Sequence, residues 1–129
     1  MREETGKIFS WNELERWRFE GSGVNTQIVS GAEMHLLRAV YEPGATYEMH
    51  SHPHEQFSVL LKGRLLLTVG TETREIGPGD CWYAPADLLH GGEILDDEPA
   101  EFLDIYAPAT EWIYELLESA RKLGKEGDQ

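Results

Sequence analysis

Closely spaced turn residues break this chain into short β-forming runs, and that spacing confines it to one fold class. Strand-like segments occupy residues 24–30, 34–42, 47–52, 56–62, 64–70, 73–76, 81–84, 89–95 and 100–106, and Gly, Pro, Asn or Asp marks most of the gaps. Gly77-Pro78-Gly79-Asp80 is the clearest of these, a turn whose glycines permit positive φ. Many short strands with close turn signals predict an all-β sandwich or barrel. At 129 residues the chain makes one domain and is long enough to bury a core.

The ends read differently. Residues 1–9 form an arm, poorly ordered or swapped, and Ser10-Trp11-Asn12-Glu13 has the capping-box pattern, which predicts a short helix over 11–16. Glu20-Gly21-Ser22-Gly23 is a loop. Beyond Pro108 and Thr110, the residues Trp112, Ile113, Leu116, Leu117, Ala120 and Leu123 recur at three- and four-residue spacing. That period predicts an amphipathic helix running to Gly124, its apolar stripe packed on the barrel wall or a second subunit. The layout is thus an arm and short helix at 1–23, a β-barrel at 24–108, and a helix with a polar tail at 109–129.

Charge narrows the partners. A net charge of −13 disfavours nucleic acid, which is met with a basic stripe, and disfavours anionic membrane surfaces. The single cysteine, Cys81, cannot form an internal disulfide and is expected as a small core residue. No apolar run follows Met1 and no stretch approaches a membrane span, so the expected location is cytoplasmic. Trp11, Trp17 and Trp112, with the terminal helix, suggest apolar surface shared between two copies in a homodimer. His35 is expected as an exposed or interface strand residue.

The chemistry concentrates in four side chains. His50 and His52 are two apart, so in a strand both imidazoles face one side, and Gln56 has the same parity. His90 ends a further strand-like run. Three histidines and an amide oxygen suit one divalent transition metal such as zinc, nickel, manganese or iron. His54 shares the parity but follows Pro53 in a loop, whereas Glu55 has the opposite parity and would need a bulge to serve as ligand. In Glu101-Phe102-Leu103-Asp104-Ile105-Tyr106, Phe102, Asp104 and Tyr106 share a face, which makes Asp104 the best candidate for proton transfer; orienting a histidine is the other role open to it. Met49, Phe57, Trp82 and Tyr83 suit either a pocket lining or packing.

The stretch from Gly44 to Gln56, closed by Gly63, resembles the first cupin motif, and the stretch from Gly79 through Pro85 to His90 resembles the second. The resemblance covers roughly residues 41–108 and implies an antiparallel cupin, or jelly-roll, barrel. Two positions depart from the family pattern: Gln56 stands where glutamate is usual, and Asp87 where glycine is usual. Among cupins the chain is most similar to the small pectin-degradation type that acts on 4,5-unsaturated uronates. That likeness implies His50, His52, Gln56 and His90 as metal ligands and Asp104 and Tyr106 as catalytic positions, with Pro108 in place. Those proteins carry an arginine for the substrate carboxylate where this chain has Thr110; Arg38 or Arg64 could replace it if either points inward.

A neutral amide in place of glutamate leaves the ion its full +2 charge, which favours Lewis-acid over redox chemistry. The expected function is therefore a metal-dependent isomerase, lyase or hydrolase acting on a small polar or carbohydrate-derived molecule. A mononuclear iron dioxygenase and a non-catalytic small-ligand binder are the alternatives.

Overall fold

Residues 6–19, 23–95 and 97–125 are described by a computed structural model; the first residues of the expected arm, the loop at 20–22 and the tail from 126 lie outside them. Among the described residues the strands are β1 (Arg16–Phe19), β2 (Val24–Ser30), β3 (His35–Tyr41), β4 (Thr46–His50), β5 (Glu55–Lys62), β6 (Arg64–Val69), β7 (Glu72–Ile76), β8 (Cys81–Ala84), β9 (His90–Leu95), β10 (Ala100–Ala107) and β11 (Arg121–Gly124), with one α-helix, α1 (Trp112–Leu117). Seven strands form one sheet in the order β11-β1-β2-β3-β10-β5-β8, and four form the other in the order β4-β9-β6-β7. All pairings are antiparallel, as the jelly-roll expectation requires.

Strand alternation builds the core. In β5, Gln56, Ser58 and Leu60 turn inward while Glu55 and Phe57 turn out; in β10, Phe102, Asp104 and Tyr106 turn inward. Leu60, Leu65, Leu67, Ile76, Ile94 and Phe102 then meet between the two sheets. Each such side chain withdrawn from water contributes roughly 1.5–3 kcal/mol. Above this apolar floor the inward positions become polar, and that half of the barrel carries the histidines.

Both termini depart from the helical expectation. Trp11–Glu13 makes only a 3-10 turn, and Ser10 supplies no side-chain cap. The Gln27 amide donates to the carbonyls of Trp11 (2.6 Å) and Leu14 (3.2 Å), groups a continuing helix would have used itself. The chain then extends as β1, pairing Trp17 with Thr26 and Phe19 with Val24. At the other end α1 stops at Leu117, and residues 121–124 pair with β1 instead. Edge strands present unpaired backbone groups. Saturating that edge outweighs the helical period that placed Leu123 on an apolar stripe, and Arg16 adds bonds to the carbonyls of Gly124 and Lys125, both at 3.1 Å.

Asp87 adopts φ +68°, the left-handed region, and its N–H donates to the His52 carbonyl at 2.8 Å. Aspartate tolerates this conformation better than most side chains, which explains how it occupies a position where cupins usually place glycine. Asp87→Val is expected to lower the unfolding free energy by about 1–3 kcal/mol, while Asp87→Gly stays within about 1 kcal/mol of the parent, as read by denaturant unfolding.

Candidate metal centre

His50 closes β4, His90 opens β9, and the two are partners across that strand pair. Close approach here depends on Gly91, where a Cβ would stand 2.8 Å from the backbone of Met49 and from the Tyr47 carbonyl oxygen. Gly92 does the same toward β6, its Cβ position lying 2.6 Å from the Leu66 carbonyl oxygen. With β4 drawn against β9, the rings of His50 and His90 lie 4.3 Å apart, and His52 joins them at 5.0 Å from His90. One ligand nitrogen from each of the three falls within 4.8 Å of the others.

All three rings are oriented in one way. Nδ1 of His50 faces the Glu48 carbonyl (2.8 Å), that of His52 the His54 carbonyl (2.9 Å), and that of His90 the Leu88 carbonyl (2.9 Å). A carbonyl only accepts, so in His50 and His90 the proton sits on Nδ1 and the Nε2 lone pair is left for the centre of the cluster. Burial lowers the pKa of His52 and takes that of His90 down to about 4, so both rings are neutral at pH 7. His90 Nε2 is buried with no partner.

Gln56 completes the set. Its amide nitrogen faces the Asp104 carboxylate (Nε2 to Oδ1, 3.3 Å), which can only accept, so its Oε1 faces His52 Nε2 at 3.0 Å. His52 therefore has an acceptor at each ring nitrogen, the His54 carbonyl at Nδ1 and Gln56 Oε1 at Nε2, and its single proton can serve only one of them. Ligands about 2.1 Å from a shared cation, at right angles, stand about 3.0 Å apart. The donor set thus fits a divalent ion, and the amide supplies an oxygen without adding charge.

Asp104 lies behind this array and is buried. Burial raises its pKa to about 6, against the opposing effect of hydrogen bonds from Ser58 (2.6 Å) and Gln56, both made to Oδ1. Burial also holds the Tyr47 and Tyr106 hydroxyls well above the usual phenol range, as protonated donors. A cavity of about 770 Å³ opens beside the cluster, bounded by β2, β3, β10 and α1, and His50, His52, Asp104 and Tyr106 all line it.

Residues 37–106 match the family model for the cupin domain, Cupin_2. The chain is a cupin. An uncharacterized protein of Streptomyces coelicolor is 29 % identical over 84 residues, covering 65 % of this cupin and 80 % of that protein. The oxalate decarboxylase OxdC of Bacillus subtilis is 33 % identical over 70 residues, 50 % of this cupin but 18 % of the larger protein. Among solved structures, KdgF from Halomonas sp. superposes with a TM-score of 0.75 at 24 % identity, covering 84 % of this cupin and 99 % of that chain. An RmlC-like cupin from Shewanella frigidimarina gives 0.72 at 23 %, covering 84 % and 96 %. These superpositions establish the barrel.

Several residues of this cupin stand elsewhere than the sequence suggests. Arg38 faces out of the barrel to Gln27 (2.8 Å) and Glu101 (2.9 Å), and Arg64 pairs with Glu75 on the surface. Phe57, Tyr83 and Met49 are exposed and do not line the cavity beside the histidines, and Cys81 is exposed because β8 turns Trp82 and Ala84 inward. His35 and His54 are both buried, and both hold Thr110: His35 Nε2 donates to its carbonyl (2.9 Å), and His54 Nε2 meets its hydroxyl (2.6 Å). Trp112 stacks on His54 with centroids 4.5 Å apart and also leans on His52, at 5.3 Å, so it closes the site of its own chain. Ser58, Tyr47 and Gly91 were not singled out as site residues. Ser58 was legible, since it shares the parity of Gln56; the other two depend on strand contacts no local pattern records.

Gly91→Ala is expected to part β4 from β9, costing about 1–3 kcal/mol in stability and moving His50 away from His90. Thermal unfolding and the affinity for added zinc or nickel, measured together, check this; an unchanged metal affinity would mean that the approach of β4 does not position the cluster.

Proposed function

We propose that this cupin is a metal-dependent enzyme catalysing an isomerisation, elimination or hydrolysis next to a carbonyl or hydroxyl oxygen of a small molecule. The observation that carries the reading is the convergence of ligand nitrogens from His50, His52 and His90 within 4.8 Å of one another, beside a Gln56 amide that bonds a buried carboxylate lining a cavity. His50, His52 and His90 through Nε2, and Gln56 through Oε1, would hold one divalent transition ion: zinc, nickel, manganese or iron. With four neutral donors the bound ion supplies Lewis acidity at its full +2 charge.

The remaining work falls to the chain. Carbonyls of residues 48, 54 and 88 hold the three rings in one orientation. Asp104 takes its two hydrogen bonds through Oδ1 alone, so Oδ2 is the atom that takes or returns the substrate proton. Ser58 keeps the carboxylate turned toward the cavity. Tyr106 lies edge-on to His52 at 5.3 Å and, protonated, donates to a substrate oxygen. Trp112 covers the site on one side and excludes water.

Two tests separate these roles. Replacing both His50 and His52 with alanine is expected to abolish the single equivalent of metal while circular dichroism stays that of a β-barrel; retained stoichiometric metal would show that the ligands lie elsewhere. Asp104→Asn is expected to keep metal and fold but lose about 10²–10⁴-fold in turnover, because asparagine matches the shape and cannot exchange the proton. The assay surveys unsaturated uronates and small enols with and without oxygen. Full activity of Asp104→Asn would remove it from proton transfer, and oxygen uptake coupled to turnover would replace this reading with a dioxygenase.

A further inference from the structure

The cavity beside the histidine cluster, lined by His50 and His52, is chemically two-sided. Near the cluster it offers Asp104, Tyr47 and Tyr106. Away from it, the walls are mostly aliphatic, Ile28, Leu37 and Ala39 from the larger sheet and Ile113, Leu116 and Leu117 from α1, with hydroxyls from Thr26 and Tyr41. No arginine or lysine lines it among the described residues. The position where uronate-acting cupins carry a cation is Thr110, whose hydroxyl and carbonyl are held by His54 and His35. The acidic residue lining it besides Asp104 is Glu48, which is exposed.

This lining decides between ligand classes. A sugar acid presents hydroxyls around its whole ring, and each one placed against an aliphatic wall loses its hydrogen bonds to water without replacement. A second anionic group would find no cation. The volume of about 770 Å³ also lies well above what a three- or four-carbon acid needs, within the roughly 300–1,000 Å³ of small-molecule sites.

We infer that the substrate is amphipathic: an oxygen-chelating head, such as a 2-oxo acid or an enol, bound at the histidine cluster, and an uncharged aliphatic or aromatic tail of several carbons lying between β2, β3 and α1. The head-group half rests on the metal reading above; the tail half rests on the cavity wall alone. It replaces the polar, carbohydrate-derived molecule expected from the sequence. α1 thereby becomes the element that sets tail length, since Ile113, Leu116 and Leu117 close the far wall.

The test is calorimetric binding of pyruvate, 2-oxohexanoate, 2-oxooctanoate, phenylpyruvate and D-galacturonate to nickel-loaded protein, repeated on metal-free protein. Affinity is expected to rise about fourfold for each buried methylene and to level off when the wall is reached. Ile28→Thr and Leu116→Gln, a strand-compatible and an exposed substitution, are expected to reduce the ratio of 2-oxooctanoate to pyruvate affinity at least tenfold, with metal content as the control for an intact cluster. Equal affinity across the 2-oxo acids, or D-galacturonate binding as tightly as 2-oxooctanoate, would overturn the inference while leaving the metal reading intact. Protein that binds no nickel yet still prefers longer chains would uphold the tail site and refute the metal reading.

Discussion

The register between β5 and β10 is the constraint on which both core and site depend. Tyr106 lies opposite Gln56, Asp104 opposite Ser58 and Phe102 opposite Leu60. On one inward face this pairing places the Gln56 amide, the carboxylate it bonds, the hydroxyl that also bonds the carboxylate, and an apolar pair of the core. A slip of one residue would exchange this set for Glu55, Phe57, Leu103 and Ile105 and would bury a charge while exposing the core. Register is therefore held by hydrophobic burial, and the site inherits its accuracy from that burial.

Electrostatics within the barrel run opposite to those of the whole molecule. The chain carries a net charge of −13, yet the cluster is built of imidazoles and an amide, and the buried carboxylate behind it is bonded by neutral groups. Asp104 is the acidic residue among the described inward positions next to the histidines, where its neighbours are tyrosines, an amide and a serine. A cation at the cluster would meet four lone pairs and one carboxylate beyond them, a field that attracts it without quenching its charge.

The terminal segments do more than close the fold. β11 saturates the edge of β1, which ties the chain end to the larger sheet and leaves α1 short, lying against the cavity. Thr110, held by two buried histidines, and Trp112, stacked on one of them, fix where α1 begins. His54 thus contributes to the site by anchoring the segment that covers it rather than as a ligand.

Spacing together with the resemblance to the two cupin motifs made the barrel and the cluster legible. Period-two parity in His50, His52 and Gln56, and in Phe102, Asp104 and Tyr106, survives folding because strand geometry sends alternate side chains to opposite faces whatever the neighbouring strand is. The turn residues and the second motif ending at His90 are equally local. What local pattern misassigned were elements whose state is set by a partner far along the chain. Residues 121–124 have helical spacing but join a strand more than a hundred residues earlier, and the Trp11 carbonyl is shared between its own turn, through the Leu14 N–H, and the Gln27 amide. Arg38 and Cys81 face outward for the same kind of reason, and Thr110 is tied down by histidines from two other elements. By itself, then, the sequence determined which residues could share a face. Which face became the cavity, how apolar its far wall is and what closes it were decided by tertiary pairing, since hydrogen-bond saturation and burial are satisfied across the whole chain at once.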